Sequence, residues 1–222
     1  MKLRNKWKLG LIYLLMQVPN LVLAEYGNIE SIYINMPQEQ NFFLSPMQRL
    51  ELMEYHKAGK TDSIRNVFGN WTCIDFLDLE HAHIKVSHAE STTFEMKLFI
   101  SPKDSVLEIG IIETVCAPIC SSVVKFYDDK WEIISSLKFK FRPSDFIDIK
   151  KVKSVGEVSE KEICELLQPI FINAEFHKQR NAIIFTNETI HTLDIDIQDK
   201  YAPYIISKEI DLGFKNKRLC KR

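Results

Sequence analysis

The chain contains little glycine, with only 7 glycines among its 222 residues. Loops that hold the phosphates of a nucleotide need several glycines in close register, because their backbone amides must approach the ligand without side chains in the way. The glycines here are dispersed, so a nucleotide-binding loop is excluded. The sequence also lacks a fixed-period repeat and a low-complexity linker, so a repeat architecture is not expected.

The chain also lacks an excess of positive charge, with 29 basic and 30 acidic residues. The first 24 residues hold four of the basic residues and none of the acidic ones, so the rest of the chain has a net charge of −5. Nucleic acids and anionic membrane surfaces attract clustered positive charge, so neither is expected as a partner. The basic residues over 215–222 are expected to form a solvated end.

Long hydrophobic runs are absent apart from one at the N-terminus. The run from Leu9 to Leu23 follows four basic residues, and it ends in small or β-branched residues at the positions that signal peptidase reads. This pattern predicts a signal peptide over residues 1–24, export to the periplasm or cell surface, and no membrane span after cleavage. The alternative is an uncleaved anchor, although a span needs roughly 20 apolar residues. No cysteine lies near Ala24, which argues against a lipoprotein.

The mature chain would start at Glu25, and its length suits one compact domain. We therefore expect a single α+β domain over residues 25–222. A candidate subdivision lies near residues 143–156, where the sequence is charged and has little periodicity.

Helical spacing of apolar residues predicts an N-terminal helix over residues 28–36. Ser45 followed by Pro46 predicts the N-cap and first turn of a second helix, which stops near Gly59. A third, short amphipathic helix is expected at residues 64–69.

The middle of the chain alternates polar and apolar residues, as is typical of strands joined by tight turns in an antiparallel meander. Strands are expected at residues 83–87, 93–100, 106–115, 123–127 and 131–134. The alternation within residues 93–100 predicts one solvated face, which would carry Glu95 and Lys97.

The last third of the chain predicts a smaller unit of helix and strands. A helix is expected over residues 157–167, where Ser159 and Glu162 have the spacing of a capping box. Strands are expected at residues 170–178 and 181–186, an acidic strand at residues 193–199, and a last helical turn at residues 201–207. The predicted fold class is α+β, with N-terminal helices packed on an antiparallel β-meander, followed by this unit.

Three segments of the central block resemble a known family. They are His88-Ala-Glu-Ser-Thr-Thr-Phe-Glu-Met-Lys-Leu98, Glu113-Thr-Val-Cys-Ala-Pro118, and Ser121-Ser122 with the later Phe126-Tyr127 and Trp131. They are similar to DUF3256, a family of uncharacterised exported proteins of Bacteroidales. The resemblance implies a periplasmic or surface location, and it implies no catalytic residues.

Two cysteines, Cys116 and Cys120, flank Pro118 between two predicted strands. Three interpretations stay open: a structural disulfide that closes the turn, two unpaired structural thiols, or a reactive or metal-binding pair. A thioredoxin-type site would have two intervening residues and a helix N-terminus, and a zinc site would need two further ligands. The chain has five cysteines, so in a fully paired monomer one would be left over.

Other candidate sites are weaker. His81 and His83 have the spacing of two metal ligands on a strand, but no third ligand follows at a spacing typical of a metal site. Ser63 and Ser105 each follow an aspartate in a short pattern that resembles the O-glycosylation signal of exported Bacteroidetes proteins. Phe139 and Phe141, with Tyr127 and Trp131, could form a binding face, although strand aromatics more often pack in a core.

The sequence shows no recognisable catalytic signature and predicts no cofactor. We therefore expect a non-catalytic protein that binds an envelope protein or polymer. The alternatives are a hydrolase with an unrecognised site, built on Cys116 or on His81 and His83, and a small-ligand carrier with an apolar cavity.

Overall fold

A six-stranded antiparallel sheet forms the middle layer of the molecule, and its consecutive strands are neighbours. The computed structural model describes residues 28–59, 63–101, 107–134, 138–215 and 218–221. The strands of this first sheet are β1 Ser63–Arg65, β2 Trp71–Asp78, β3 His83–Ala89, β4 Thr92–Ile100, β5 Leu107–Cys116 and β6 Cys120–Asp128. The predicted antiparallel meander is confirmed.

Two helices cover one face of the first sheet: α1 spans Ile29–Asn35 and α2 spans Pro46–Lys57. α2 starts at the predicted position, because Ser45 and Gln48 form a reciprocal capping box. The buried Arg49 of α2 donates hydrogen bonds to the carbonyls of Ile34 in α1 and of Met36 and Leu44 after it, which joins the two helices. Their apolar side chains share a core with the sheet residues Ile84, Val86, Phe94, Met96, Leu98, Ile109 and Ile111.

A second unit covers the opposite face of the first sheet. Its strands are β7 Ile172–Phe176, β8 Ala182–Asn187, β9 Lys208–Lys215 and β10 Arg218–Lys221, which form a second antiparallel sheet. Its helices are α3 Ile149–Val155, α4 Glu160–Leu166 and α5 Ile195–Tyr201. The predicted capping box of Ser159 and Glu162 is present at the start of α4. The chain therefore has the predicted α+β order of helices, sheet, and helix-plus-strand unit.

The two sheets lie close together at Gly110 of β5. A Cβ atom at this position would lie 2.7 Å from Cζ of Phe176 and 2.8 Å from Cε2 of Phe99. These aromatic rings, with Phe126, belong to the core between the first sheet and the second unit. The absence of a side chain at Gly110 is what lets β7 lie this close to β5.

The prediction that one face of β4 is exposed to solvent is wrong. Glu95 and Lys97 are only 4% and 1% exposed. Alternation within one strand shows that its two faces differ, and it does not show what covers the polar face. Here the second unit covers that face, so both faces of β4 are buried.

Three other predicted elements are also wrong. Residues 64–69 are not helical, because β1 pairs with β2 and a turn follows it. Residues 131–134 contribute only an isolated bridge between Ile133 and Tyr127 instead of a strand. The acidic stretch at 193–199 contains the start of α5 rather than a strand, since its apolar residues also fit helical spacing toward Tyr201.

The described C-terminal residues form β9 and β10 rather than a free end, although the basic side chains of Lys215, Arg218 and Lys221 are exposed as expected. Leu219 is 1% exposed, and its amide donates a 3.0 Å hydrogen bond to Glu108 of β5.

The segment 143–156 holds a 3₁₀ helix at Pro143–Phe146 and then α3. Within the described ranges, no helix is both long enough and apolar enough to cross a membrane. The predicted signal peptide and Ser105 lie outside the described residues.

Candidate functional site

An open cleft of about 710 Å³ lies between the first sheet and the β7–β8 hairpin. One wall is the polar face of β2, β3 and β4, and the other is formed by the hairpin. The lining residues are Asp75, Phe76, His83, Lys85, Glu95, Glu175, Phe176, His177, Lys178, Gln179 and Ile184. None of these carries a hydroxyl or thiol group. We call this feature the inter-sheet cleft.

Side chains of the first sheet hold the hairpin in place by accepting hydrogen bonds from the backbone amides of β7. The carboxylate of Glu95 accepts a 2.9 Å hydrogen bond from the amide of Phe176. The hydroxyl of Ser122 accepts a 2.9 Å hydrogen bond from the amide of Ala174. A side chain thus satisfies each of these amides, which would otherwise be buried without a partner.

Lys97 also attaches the hairpin to the first sheet, by donating hydrogen bonds to backbone carbonyls of the hairpin. Its ammonium donates hydrogen bonds of 2.5 Å to the carbonyl of His177 and 2.9 Å to the carbonyl of Arg180. Both carbonyls lie in the turn between β7 and β8. Burial lowers the pKa of Lys97 to about 8, although the charges of Glu95 and Asp78 oppose that shift.

His83 and Glu95 form a buried pair at the base of the cleft. Nε2 of His83 lies 2.6 Å from the Glu95 carboxylate, and the two side chains are 2% and 5% exposed. A carboxylate only accepts, so Nε2 carries the proton in this pair. The edge of the ring packs against Phe76 and Phe176, and Nδ1 has no hydrogen-bond partner among the described residues. Nδ1 is out of contact with solvent, so it is closed to a substrate in the cleft.

His81 lies apart from His83, in the turn before β3. Its Nδ1 lies 2.8 Å from the carboxylate of Asp78. Burial would raise the pKa of Asp78, but hydrogen bonds from His81 and from the amide of Glu80 lower it. The two imidazoles thus contact different carboxylates, His81 that of Asp78 and His83 that of Glu95. In the part of the chain that the structure describes, no group of His, Cys, Asp and Glu side chains could hold a metal ion.

The structure places the other candidate residues far apart in the fold. The sulfurs of Cys116 and Cys120 are 2.03 Å apart, in a disulfide across the β5–β6 turn. Ser63 lies in β1 opposite Cys73. None of these residues lines the cleft, so the cysteines and the histidines do not form one site.

The candidate aromatic face is largely core. Tyr127 is 2% exposed, and the rings of Phe139 and Phe141 lie 4.9 and 4.6 Å from the ring of Phe185, which belongs to the core between the first sheet and the second unit. This packing agrees with the general expectation for aromatic residues in strands.

The accessible charges of the cleft are of both signs. Asp75 accepts a 2.6 Å hydrogen bond from Ser87, and the ammonium of Lys178 lies 5.1 Å from the centre of the Phe76 ring. Lys85 and Glu175 contribute one further charge of each sign. Such a surface can bind a polar partner that offers both hydrogen-bond donors and acceptors, with Phe76 as an apolar contact.

Sequence reasoning missed the residues that build the cleft. The alternation of residues 93–100 predicts solvent exposure for Glu95 and Lys97, and the sequence gives no signal for Glu175 within its predicted strand. The one available signal was that Phe99 shares the polar face of β4, since a large aromatic side chain on a solvated face is unusual.

The fold and the cleft together define an α+β protein with two stacked antiparallel sheets and an open polar cleft between them. The chain belongs to DUF3256, a family described as proteins of unknown function, whose model matches residues 22–219. The chain is also similar in fold to the structure of a domain of an uncharacterized protein from Porphyromonas gingivalis W83. That similarity has a TM-score of 0.65 at 16% identity, and it covers 88% of this chain and 100% of that one. Among curated proteins, none matches this chain.

Proposed function

We propose that this protein is exported, is not an enzyme, and binds an envelope protein or polymer in the inter-sheet cleft. The observation that carries the proposal is which polar groups of the cleft are engaged in contacts inside the protein and which are accessible. The buried ones, His83 and Glu95, are paired with each other, and Glu95 also holds the hairpin. The accessible ones are charges of both signs with no hydroxyl or thiol among them.

This arrangement favours binding over hydrolysis by a hydroxyl or thiol nucleophile. Such a hydrolase needs the nucleophile within reach of a base that a third group orients. His83 has the orienting carboxylate, but its other nitrogen is buried away from the cleft. Cys116 is engaged with Cys120. A small-ligand carrier is also less favoured, because the cleft is open and aromatic side chains fill the core behind it.

The proposal is tested by site-specific photocrosslinking in the native cell. A photoreactive amino acid replaces Gln179, which lines the cleft, and the matched control replaces the exposed Gln168 outside it. We expect a defined partner that crosslinks at position 179 and not at 168. The crosslink should weaken about tenfold in Asp75→Asn and Lys178→Gln variants, because each removes a charged contact.

Two results would contradict the proposal. The first is equal crosslinking at both positions that the two variants do not affect. The second is turnover of envelope polymers by the purified protein, abolished by Asp75→Asn or Glu175→Gln, which would make these carboxylates catalytic.

Export is tested separately by cell fractionation and N-terminal sequencing. We expect the protein in the periplasm or at the surface, with Glu25 as its first residue. Recovery in the cytoplasm with Met1 retained would contradict export without affecting the crosslinking result.

A further inference from the structure

Two neutral segments, one ending in the first turn of α2 and one running from the β1–β2 turn into β2, expose a group of large apolar side chains where α2 meets β1. Residues 41–48 and 66–74 contain no charged residue. Their exposed side chains are Phe42 63%, Met47 72%, Val67 58%, Phe68 65% and Trp71 57%. We call these five residues the aromatic platform. None of them lines the inter-sheet cleft.

The two segments contact each other, which places Phe68 beside Phe43. The amide of Val67 donates a 3.1 Å hydrogen bond to the carbonyl of Phe43. The rings of Phe43 and Phe68 are 5.3 Å apart in an edge-to-face arrangement. The side chain of Gln48, in the first turn of α2, donates a 2.9 Å hydrogen bond to the carbonyl of Arg65.

Every backbone amide from residue 66 to residue 70 donates a hydrogen bond inside the protein. The amides of residues 66, 67 and 69 donate to the carbonyls of Asn70, Phe43 and Asn66. The amides of Phe68 and Asn70 both donate to the side-chain oxygen of Asn66. The loop that carries Val67 and Phe68 therefore needs no water to satisfy its amides.

A buried network around His88 fixes both loops. Asn66 donates a 2.7 Å hydrogen bond to the carbonyl of His88, and the amide group of Asn41 lies 3.1 Å from Nε2 of its ring. Phe43 stacks on that ring at 4.5 Å. Burial lowers the pKa of His88 to about 4, so the ring is neutral near pH 7. The platform is thus presented by a pre-organised, uncharged support.

We propose that the aromatic platform inserts into the interface of a lipid bilayer whose headgroups are zwitterionic. Hydrocarbon offers no partner to backbone polar groups, so loops that enter it must satisfy their own amides, as residues 66–70 do. Trp and other aromatic side chains are favoured at the boundary between headgroups and acyl chains. The net charge of −5 after residue 24 opposes attraction to anionic lipid, so apolar insertion supplies the affinity.

Arg65 suits the rim of such a contact. Its guanidinium stacks on Trp71 at 4.6 Å from the ring centre and also donates to the carbonyl of Gly69. The remaining N–H groups of the guanidinium are available to the phosphate of a headgroup, at the depth where the indole would lie. A peripheral contact of this kind adds a second binding surface to the protein, beyond the proposed partner in the cleft.

The test is flotation of the protein that starts at Glu25 with vesicles of phosphatidylcholine and phosphatidylethanolamine. A second set of vesicles contains added phosphatidylglycerol. The test variant is Phe68→Ser with Trp71→Ser, and the matched control is Ile195→Ser, which removes an apolar side chain 66% exposed on the second unit. All three substituted positions of the test and control are exposed, and circular dichroism checks that each variant folds.

We expect the unchanged protein and the control to float equally well with both vesicle types, and the test variant to bind at least about tenfold more weakly. Three outcomes overturn the proposal. They are no flotation of the unchanged protein, equal flotation of the test variant, or binding only to vesicles with anionic lipid. If the unchanged protein does not float but sediments as a dimer that the test variant dissociates, the platform binds a second copy instead.

Discussion

A single lysine ties the two halves of the molecule together. Lys97 belongs to the first sheet, and its ammonium donates to carbonyls in the β7–β8 turn of the second. The sequence pattern correctly predicts that Lys97 lies in a strand, but it predicts a solvent-exposed side chain. Its burial depends on residues about 80 positions later in the chain, which no local pattern reports.

Replacing Lys97 with methionine should lower the free energy of unfolding by about 2 kcal/mol, because buried carbonyls lose a charged donor. Urea denaturation of Lys97→Met measures this effect, with the exposed Lys208→Met as the control. Little change in Lys97→Met would show that water replaces the ammonium.

The contribution of Lys97 should also depend on pH. Its pKa in the folded state is about 8, below the value of about 10.4 for an unfolded chain. Between these values the unfolded state binds more protons than the folded state, so stability rises with pH in this window. The stability difference between the unchanged protein and Lys97→Met should therefore grow from pH 8 to pH 10. A difference that is constant over this range would contradict the lowered pKa.

At the scale of elements, local signals work where the determining contact is local. The caps at Ser45 and Ser159 lie at the predicted residues, because each capping box is closed within three residues, although α4 starts at Glu160 and not at the predicted residue 157. β1 was assigned to a helix because three residues are too few to show a period. Its identity comes from pairing with β2.

The turn between β5 and β6 provides a test at this scale. The Cys116–Cys120 disulfide closes a loop of five residues, for which the loss of chain entropy in the unfolded state corresponds to about 2 kcal/mol. A Cys116→Ser and Cys120→Ser double variant should be less stable by about that amount, whereas Cys164→Ser in α4 should change stability less. Thiol titration under denaturing conditions should find two more thiols after reduction. An unchanged thiol count would contradict the disulfide.

At the scale of the whole molecule, the stacking of the two sheets depends on Gly110. In Gly110→Ala the new methyl group would overlap the rings of Phe99 and Phe176, which are packed on all sides and cannot move freely. We expect a loss of about 1–3 kcal/mol in the free energy of unfolding, as is usual for overpacking. Ser121→Ala, at an exposed position of β6, is the control.

A double-mutant cycle shows whether this loss arises at the contact between the sheets. Phe176→Leu should be destabilising alone but should cost less in the Gly110→Ala background, because the smaller side chain relieves the overlap. Strict additivity of the two changes would place the effect of Gly110→Ala elsewhere, in the strand itself.

The amino-acid sequence by itself determined the fold class, the family, the order of the main elements and the caps of two helices. These features follow from periodicity, capping and motif residues that lie close together in the chain. Only the tertiary structure decided which strand faces are buried, that the C-terminal residues join a sheet, and that a cleft lies beside His83 and Glu95. The reason is physical: burial and cleft formation depend on which distant segment covers a face, and the two sheets meet through contacts between residues as far apart as Glu108 and Leu219.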